Sequence, residues 1–346
     1  MKNKDAKLIA EISANHCGSI IHAKKLIHCA KVNKADAVKI QTYTADTMTI
    51  KSKKKNFKIQ KGIWKNYYLW DLYKEAHTPY EWHEELFNYS KKIGIEIFST
   101  PFDETAVELL ENLKCPRYKI ASFEMTDLPL IKRVAQTKKP IIISTGMASL
   151  KEINEAYNTA KKYGANDITL LYCVSNYPSK SDDFNMNNIK ILKDKFKCKI
   201  GFSDHSNDNR IALAAIAAGA EMVEKHIALK NQKKGHDIKF SLKGNEIKQF
   251  KDDIVFVSKL FQQNYFLRNK SENMSKIFRR SIFAVKDIVK GEKFTSENIR
   301  RIRPNRGIEP KYYSKLLGKL SPQNLKKEKP INKQILKKMK IKYEKV

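Results

Sequence analysis

Eight short runs of apolar and β-branched residues recur along the first 228 positions, and helical periodicity follows each of them. The runs are KLIAEIS (7–13), AVKIQTY (37–43), IEIFSTP (95–101), RYKIASF (117–123), PIIISTG (140–146), DITLLYCV (167–174), KIGFSDH (199–205) and MVEKHIA (222–228). Helical patterns such as DETAVELLENL (103–113), SLKEINEAYNTAKKYG (149–164) and DNRIALAAIAAGA (208–220) lie between them. NEIKQFKDDIVFVSKLF (245–261) follows the last run. Near-continuous apolar strands suit a parallel sheet buried on both faces, with right-handed crossovers supplying the covering helices. Four to six such repeats would make an open sheet. Eight even repeats predict an α/β chain built on a closed eight-stranded parallel β/α (TIM) barrel over residues 1–265.

Two segments break the rhythm. Residues 44–80 are long for a connection and rich in aromatics (Trp64, Tyr67, Tyr68, Trp70, Tyr73), which suits either a lid or a small local core. Beyond the last helix the chain turns polar, and from 281 it shows short strand runs, a turn at Gly291 and no long helical pattern. A polar linker (266–280) and a small β-rich domain (281–346) are therefore expected.

Composition narrows the function. The formal net charge is +31, yet only ten of the 68 cations are arginine, and the lysines are spread along helical faces. That pattern fits solvated surfaces and attraction of small anions better than a nucleic-acid groove. No run approaches the ~20 apolar residues of a membrane helix. The five cysteines form no C-x-x-C pair, so a disulfide framework or thiolate zinc site is not expected, and a reducing cytoplasm is.

In such barrels the active site forms at the C-terminal ends of the strands. Every strand here ends in polar residues, among them Glu11, Asn15 and His16; Lys39 and Gln41; Thr100; Lys119, Ser122 and Glu124; Ser144; Ser175 and Tyr177; Ser203 and His205; Glu224 and His226. Barrel interiors are normally aliphatic, so Lys39 and Lys119 within strands are costly unless paired with anions. Lys39 has a protein partner in reach in Glu11, but two lysines and several hydroxyls converging point to an anionic ligand such as phosphate or carboxylate. His205 and His226 end adjacent strands, and two neutral imidazoles with oxygen ligands suit a divalent ion.

The stretches AEISANHCGS, VKIQTYTADTMTI, STPFDETAVELLE, YKIASFE, PIIISTGMAS, GFSDHS, EKHIAL and RRSIFAVKDIVKGEKFT run in order from residue 9 to the C-terminal segment. Together they resemble the sialic acid synthase family, which condenses phosphoenolpyruvate with an N-acetylated sugar to give nine-carbon α-keto acids. The resemblance implies a β/α barrel followed by an antifreeze-like (SAF) domain, and a domain-swapped homodimer. It implies that His205 and His226 bind the divalent ion, Mn²⁺ with Mg²⁺ or Co²⁺ as alternatives. Lys39, Lys119, Ser122, Ser144 and Ser203 would bind phosphoenolpyruvate, and Glu11 and Glu124 would be catalytic carboxylates. Gln41, Thr100, Ser175 and Tyr177 would line the sugar side, with Arg303 reaching in from a partner subunit. Further stretches, ISANH, LYKEAHTPYEWHEELF and IRPNRGIEPKYY, look more like the pseudaminic-acid-forming branch, whose acceptor is 2,4-diacetamido-2,4,6-trideoxy-altrose. Branches forming legionaminic or N-acetylneuraminic acid are the near alternatives, and a non-catalytic carbohydrate or polyanion binder the remote one. Ser175 stands where sialic acid synthases carry asparagine, and RPNRG lacks a glycine often found there; both bear on the sugar.

Overall fold

All eight runs form strands in the computed structural model, which describes residues 5–261, 266 and 268–344. They are β1 (Lys7–Glu11), β2 (Ala37–Thr42), β3 (Glu96–Pro101), β4 (Tyr118–Ile120), β5 (Ile141–Ser144), β6 (Ile168–Cys173), β7 (Lys199–Asp204) and β8 (Met222–Ala228). The strands pair in chain order and in parallel, and β1 also pairs with β8, which closes the ring. A two-residue strand, Leu242–Lys243, pairs with β8 at Ile227 and Ala228.

The outer helices begin where their sequences place good caps. Ser149 and Glu152 form a reciprocal capping box at the start of Leu150–Lys162. Asp103 caps Glu104–Asn112, and Asp127 caps Leu128–Ala135, with a proline in the first turn where no N–H is needed. Strand alternation divides the barrel. In β2, Val38 and Ile40 are buried in one apolar cluster with Leu26 and Ile27 of the helix Ile20–Val32, while Lys39 and Gln41 face the interior.

Residues 44–80 hold two short helices, Ala45–Met48 and Leu69–Ala76, and a bridge between Lys58 and Tyr68. They form a wall of the barrel mouth, and their rings pack on aromatic residues outside the segment. Tyr73 lies against Tyr43 with ring centres 5.9 Å apart, and Trp64 lies against Tyr177 at 5.5 Å.

The chain divides into two compact units, Met1–Gln262 and Gln263–Val346. The second unit pairs strands Ser281–Ala284 and Ile299–Ile302 antiparallel. Its own core contains Ile282, Phe294, Ile299, Tyr312, Leu316 and Ile331. A helical turn, Glu272–Ser275, falls inside the stretch expected as a linker; the expected barrel end at 265 lies outside the described residues. Among the described residues no helix is long and apolar enough to cross a membrane.

Candidate active site

At the C-terminal end of the barrel, β1 sits between β2 and β8 with Glu11 in register with both Lys39 and His226. Residues in register on parallel strands point the same way, so these three side chains enter the interior at one level. Lys39 pairs with Glu11 and also lies 3.6 Å from Glu224. Lys119 Nζ donates to Glu224 Oε1 at 3.0 Å, Ser203 Oγ donates to the same oxygen at 3.1 Å, and Lys39 Nζ donates to Thr100 Oγ1 at 3.1 Å. Two ammonium groups and two carboxylates are thus buried in one network. Burial alone would raise the Glu224 carboxyl, but Lys119 and Lys39 outweigh it and hold it well below the usual range. Burial raises Glu11, reinforced by the Glu224 charge and opposed by Lys39. Protonation of Glu11, the direction in which burial pushes it, would leave the network with surplus positive charge, which an incoming polyanion can neutralise.

The imidazoles stand beside this network, with ring centres 5.6 Å apart. Val174 O can only accept, so His205 Nδ1, at 3.0 Å, carries the hydrogen and Nε2 keeps its lone pair. Burial lowers His205 to about 4 and pushes His226 well below its ordinary value, so both rings are neutral at neutral pH. His226 Nδ1 lies 3.5 Å from Asp237 Oδ2 and has no hydrogen-bond partner. Two neutral imidazoles flanked by carboxylate oxygens fit a divalent transition ion. No group of three His, Cys, Asp or Glu is placed to hold a metal among the described residues. Any further ligands would be water or substrate.

Lys39, Lys119, Ser203, His205, Glu224, His226 and Asp237 border a cavity of about 270 Å³, which Glu11, behind Lys39, does not line. It also takes in Gln41, Ser122, Glu124, Ser144 and Tyr177, with Met48, Ile59, Trp64, Leu72 and Tyr73 of the 44–80 segment as an apolar wall. Ser144 Oγ is buried without a partner, while Ser122 Oγ accepts the Gly146 N–H at 3.1 Å. Burial pushes the Glu124 carboxyl up to about 7, Asp127 adding and Lys119 opposing. Tyr177 packs 4.4 Å from His205, ring centre to ring centre. Thr100 braces Lys39 from behind and does not itself line the cavity. Ser175 stands beside Gly146, where an added Cβ would meet its Oγ at 2.1 Å, so only glycine fits there. Arg303 lies exposed in the second unit.

Two residues without an expected role are central. Glu224 ties Lys39, Lys119 and Ser203 together; it was visible as a strand-end acid, and its inward phase two residues before His226 is the signal. Asp237 faces His226 from the loop after β8, in a stretch (KGHDIKF) without periodicity. Its one signal is that loops at this end of a barrel supply site residues.

Known proteins match along the same lines. The NeuB family model covers residues 26–265 and the SAF domain model residues 279–335. The chain is 42% identical to a pseudaminic acid synthase of Helicobacter pylori, over 94% of this chain and 96% of that one. It is 38% identical to an N,N'-diacetyllegionaminic acid synthase of Campylobacter jejuni, over 94% and 98%. A solved N-acetylneuraminic acid synthetase from Leptospira borgpetersenii superposes with a TM-score of 0.72 at 30% identity, covering 79% of this chain and 90% of that one. By its matched residues, its barrel and the length over which these identities hold, the chain belongs to the NeuB family.

Proposed function

We propose that the chain condenses phosphoenolpyruvate with 2,4-diacetamido-2,4,6-trideoxy-altrose and water to give pseudaminic acid and phosphate. The observation that carries this reading is the buried Lys39–Glu224–Lys119 network next to a pair of neutral imidazoles. It offers an anion cradle and an electrophile-binding site in one cavity. The identity to pseudaminic acid synthases supports the choice of sugar.

Lys39 and Lys119, with Ser122, Ser144 and Ser203, hold the phosphate and carboxylate of phosphoenolpyruvate. Gln41, Tyr177 and the apolar wall orient the open-chain sugar, with Thr100 and Ser175 behind them. Bringing the two substrates together is itself a large part of the rate. His205 and His226 would hold a divalent ion, Mn²⁺ first among the choices, which as a Lewis acid would polarise the sugar aldehyde. C3 of phosphoenolpyruvate attacks C1 of the sugar, forming the C–C bond as the aldehyde π pair moves to its oxygen and leaving positive charge at C2. Glu124, its carboxyl facing a water-poor cavity, stabilises that charge as its anion. Water adds at C2, one proton passing by way of Glu11 to the former aldehyde oxygen, and collapse of the C2–OH to the ketone breaks the C–O bond and releases phosphate together with the second proton. In a homodimer, Arg303 would complete the sugar side of the neighbouring subunit's barrel.

The test is phosphate release from phosphoenolpyruvate and Mn²⁺ with three sugars in parallel: the altrose-configured diacetamido sugar, the legionaminic precursor and N-acetylmannosamine. Release with the first alone, lost on adding EDTA and in His205→Ala, is the expected result. Release with another sugar moves the acceptor, and none with all three from folded protein overturns the reaction.

A further inference from the structure

Asn15 lies in the turn after β1 and is fully buried. Among the described residues its side-chain amide bonds to the β8 side of the mouth. Nδ2 donates to the Ile227 carbonyl at 2.8 Å and to Ser241 Oγ at 2.9 Å, and Oδ1 accepts the Asp237 N–H at 3.3 Å. Ser241 Oγ donates in turn to the Asp237 carbonyl at 2.7 Å. Amide and hydroxyl together grip both polar groups of the Asp237 backbone. The same amide holds the carbonyl of the residue that follows His226. Gly235 lets the loop come this close: an added Cβ there would stand 2.6 Å from Asn15 Oδ1, at a φ of +143°.

Such an amide has two possible duties, tying two loops together or fixing what they carry. The direction of the bonds favours the second. His226 Nδ1 has no hydrogen-bond partner of its own, and the Asp237 carboxylate stands 3.5 Å from it. Ser13 and the Ala14 N–H bond the Asp237 carboxylate itself, while Asn15 holds the backbones at 227 and 237 that carry the ring and the carboxylate. We propose that Asn15 is a positioning residue that sets the Asp237–His226 pair and, through it, the imidazole half of the divalent-ion site. The proposal rests on the reading of His205 and His226 as ion ligands.

Mn²⁺ affinity of the full chain without substrates, read from the EPR signal of free Mn²⁺, tests it apart from turnover. Wild type binds the ion with an affinity that His226→Ala abolishes. Asn15→Ala weakens it about 10- to 100-fold, the range typical of a residue that orients a metal ligand. Thr42→Val serves as a fold control: it removes a buried hydroxyl bonded to His83 Nε2 at 2.8 Å, so it lowers Tm and leaves Mn²⁺ affinity unchanged. Asn15→Ala within about twofold of wild type, well short of the effect expected for such a residue, overturns the proposal and leaves Asn15 a structural tie. Should Asn15→Ala not fold, Ser241→Ala cuts only one link and is expected to weaken the ion in the same direction; no change there overturns the proposal equally. Wild type without His226-dependent Mn²⁺ binding overturns the ion reading and the proposal with it, and shows this before any Asn15 variant is made.

Discussion

Desolvating a lysine ammonium costs several kcal/mol, and here two are buried around one carboxylate. Glu224 compensates both Lys39 and Lys119. Glu224→Gln keeps the shape and removes the charge, so two ammonium groups lose their shared partner. The expected loss of barrel stability is about 3–5 kcal/mol in urea unfolding. A loss below about 1 kcal/mol, the worth of an exposed pair, would mean that the lysines are solvated and the network is not a network. Glu124 behaves oppositely. Its folded carboxyl, raised to about 7 from an ordinary 4.5, binds a proton that the unfolded chain releases. Its contribution to stability is complete below pH 4.5 and is lost as pH rises through 7, by at most about 3 kcal/mol. Unfolding at pH 5 and pH 8 should show wild type losing more stability over that span than Glu124→Gln. Equal losses in the two proteins would remove Glu124 as the titrating group.

Among the elements, the 44–80 segment is the one whose role is set by what it covers. Trp64 Nε1 donates to the His236 carbonyl at 3.3 Å, and its ring rests against Tyr177 on the far side of the mouth. Trp64→Ala removes an apolar part of the cavity wall, on the side where the proposed reading puts the sugar in ground and transition state alike. The expected result is a rise of about tenfold in KM for the sugar, with kcat and the KM for phosphoenolpyruvate little changed. A fall in kcat alone would instead give the segment a part in the chemistry. The strands were legible because burial on both faces writes itself as unbroken apolar runs, and their phase marks Lys39, Lys119, Glu224 and His226 as inward. That the segment's aromatics pack on the cavity's surroundings and not on each other was not legible: aromatics in a long loop read alike in either case. Asp237 was hidden for a different reason. Its place is set by Ser13, the Ala14 N–H, Asn15, Ser241 and a left-handed glycine, none of which leaves a periodic trace. HEELF (83–87) reads as surface helix, yet His83 is wholly buried and bonds Thr42; one amphipathic turn carries too little pattern to assign its inner face.

At the scale of the whole molecule, each unit has its own apolar core. The chain's three tryptophans, Trp64, Trp70 and Trp82, all belong to the first unit, so tryptophan fluorescence reports the barrel alone. Phe294→Ala, at a fully buried site in the second unit, should destabilise that unit by about 3–5 kcal/mol. Calorimetry is expected to show one transition moving down while the fluorescence melt stays where it was. If both move together, the two units unfold as one.

Barrel closure has a consequence for how the protein comes into being. Glu11 is in register with Lys39 on one side and with His226 on the other, so the lysine-bearing half and the imidazole half meet at the seam between the first strand and the last. A chain emerging from the ribosome carries Lys39 and Lys119 long before Glu224 and His226 exist. Until β8 docks, those lysines lack their shared counter-charge and no imidazole pair stands beside them. An unfinished or frayed barrel can hold most of its strands and still be chemically silent. Turnover, assayed during synthesis or refolding, would therefore mark the moment at which the ring shuts.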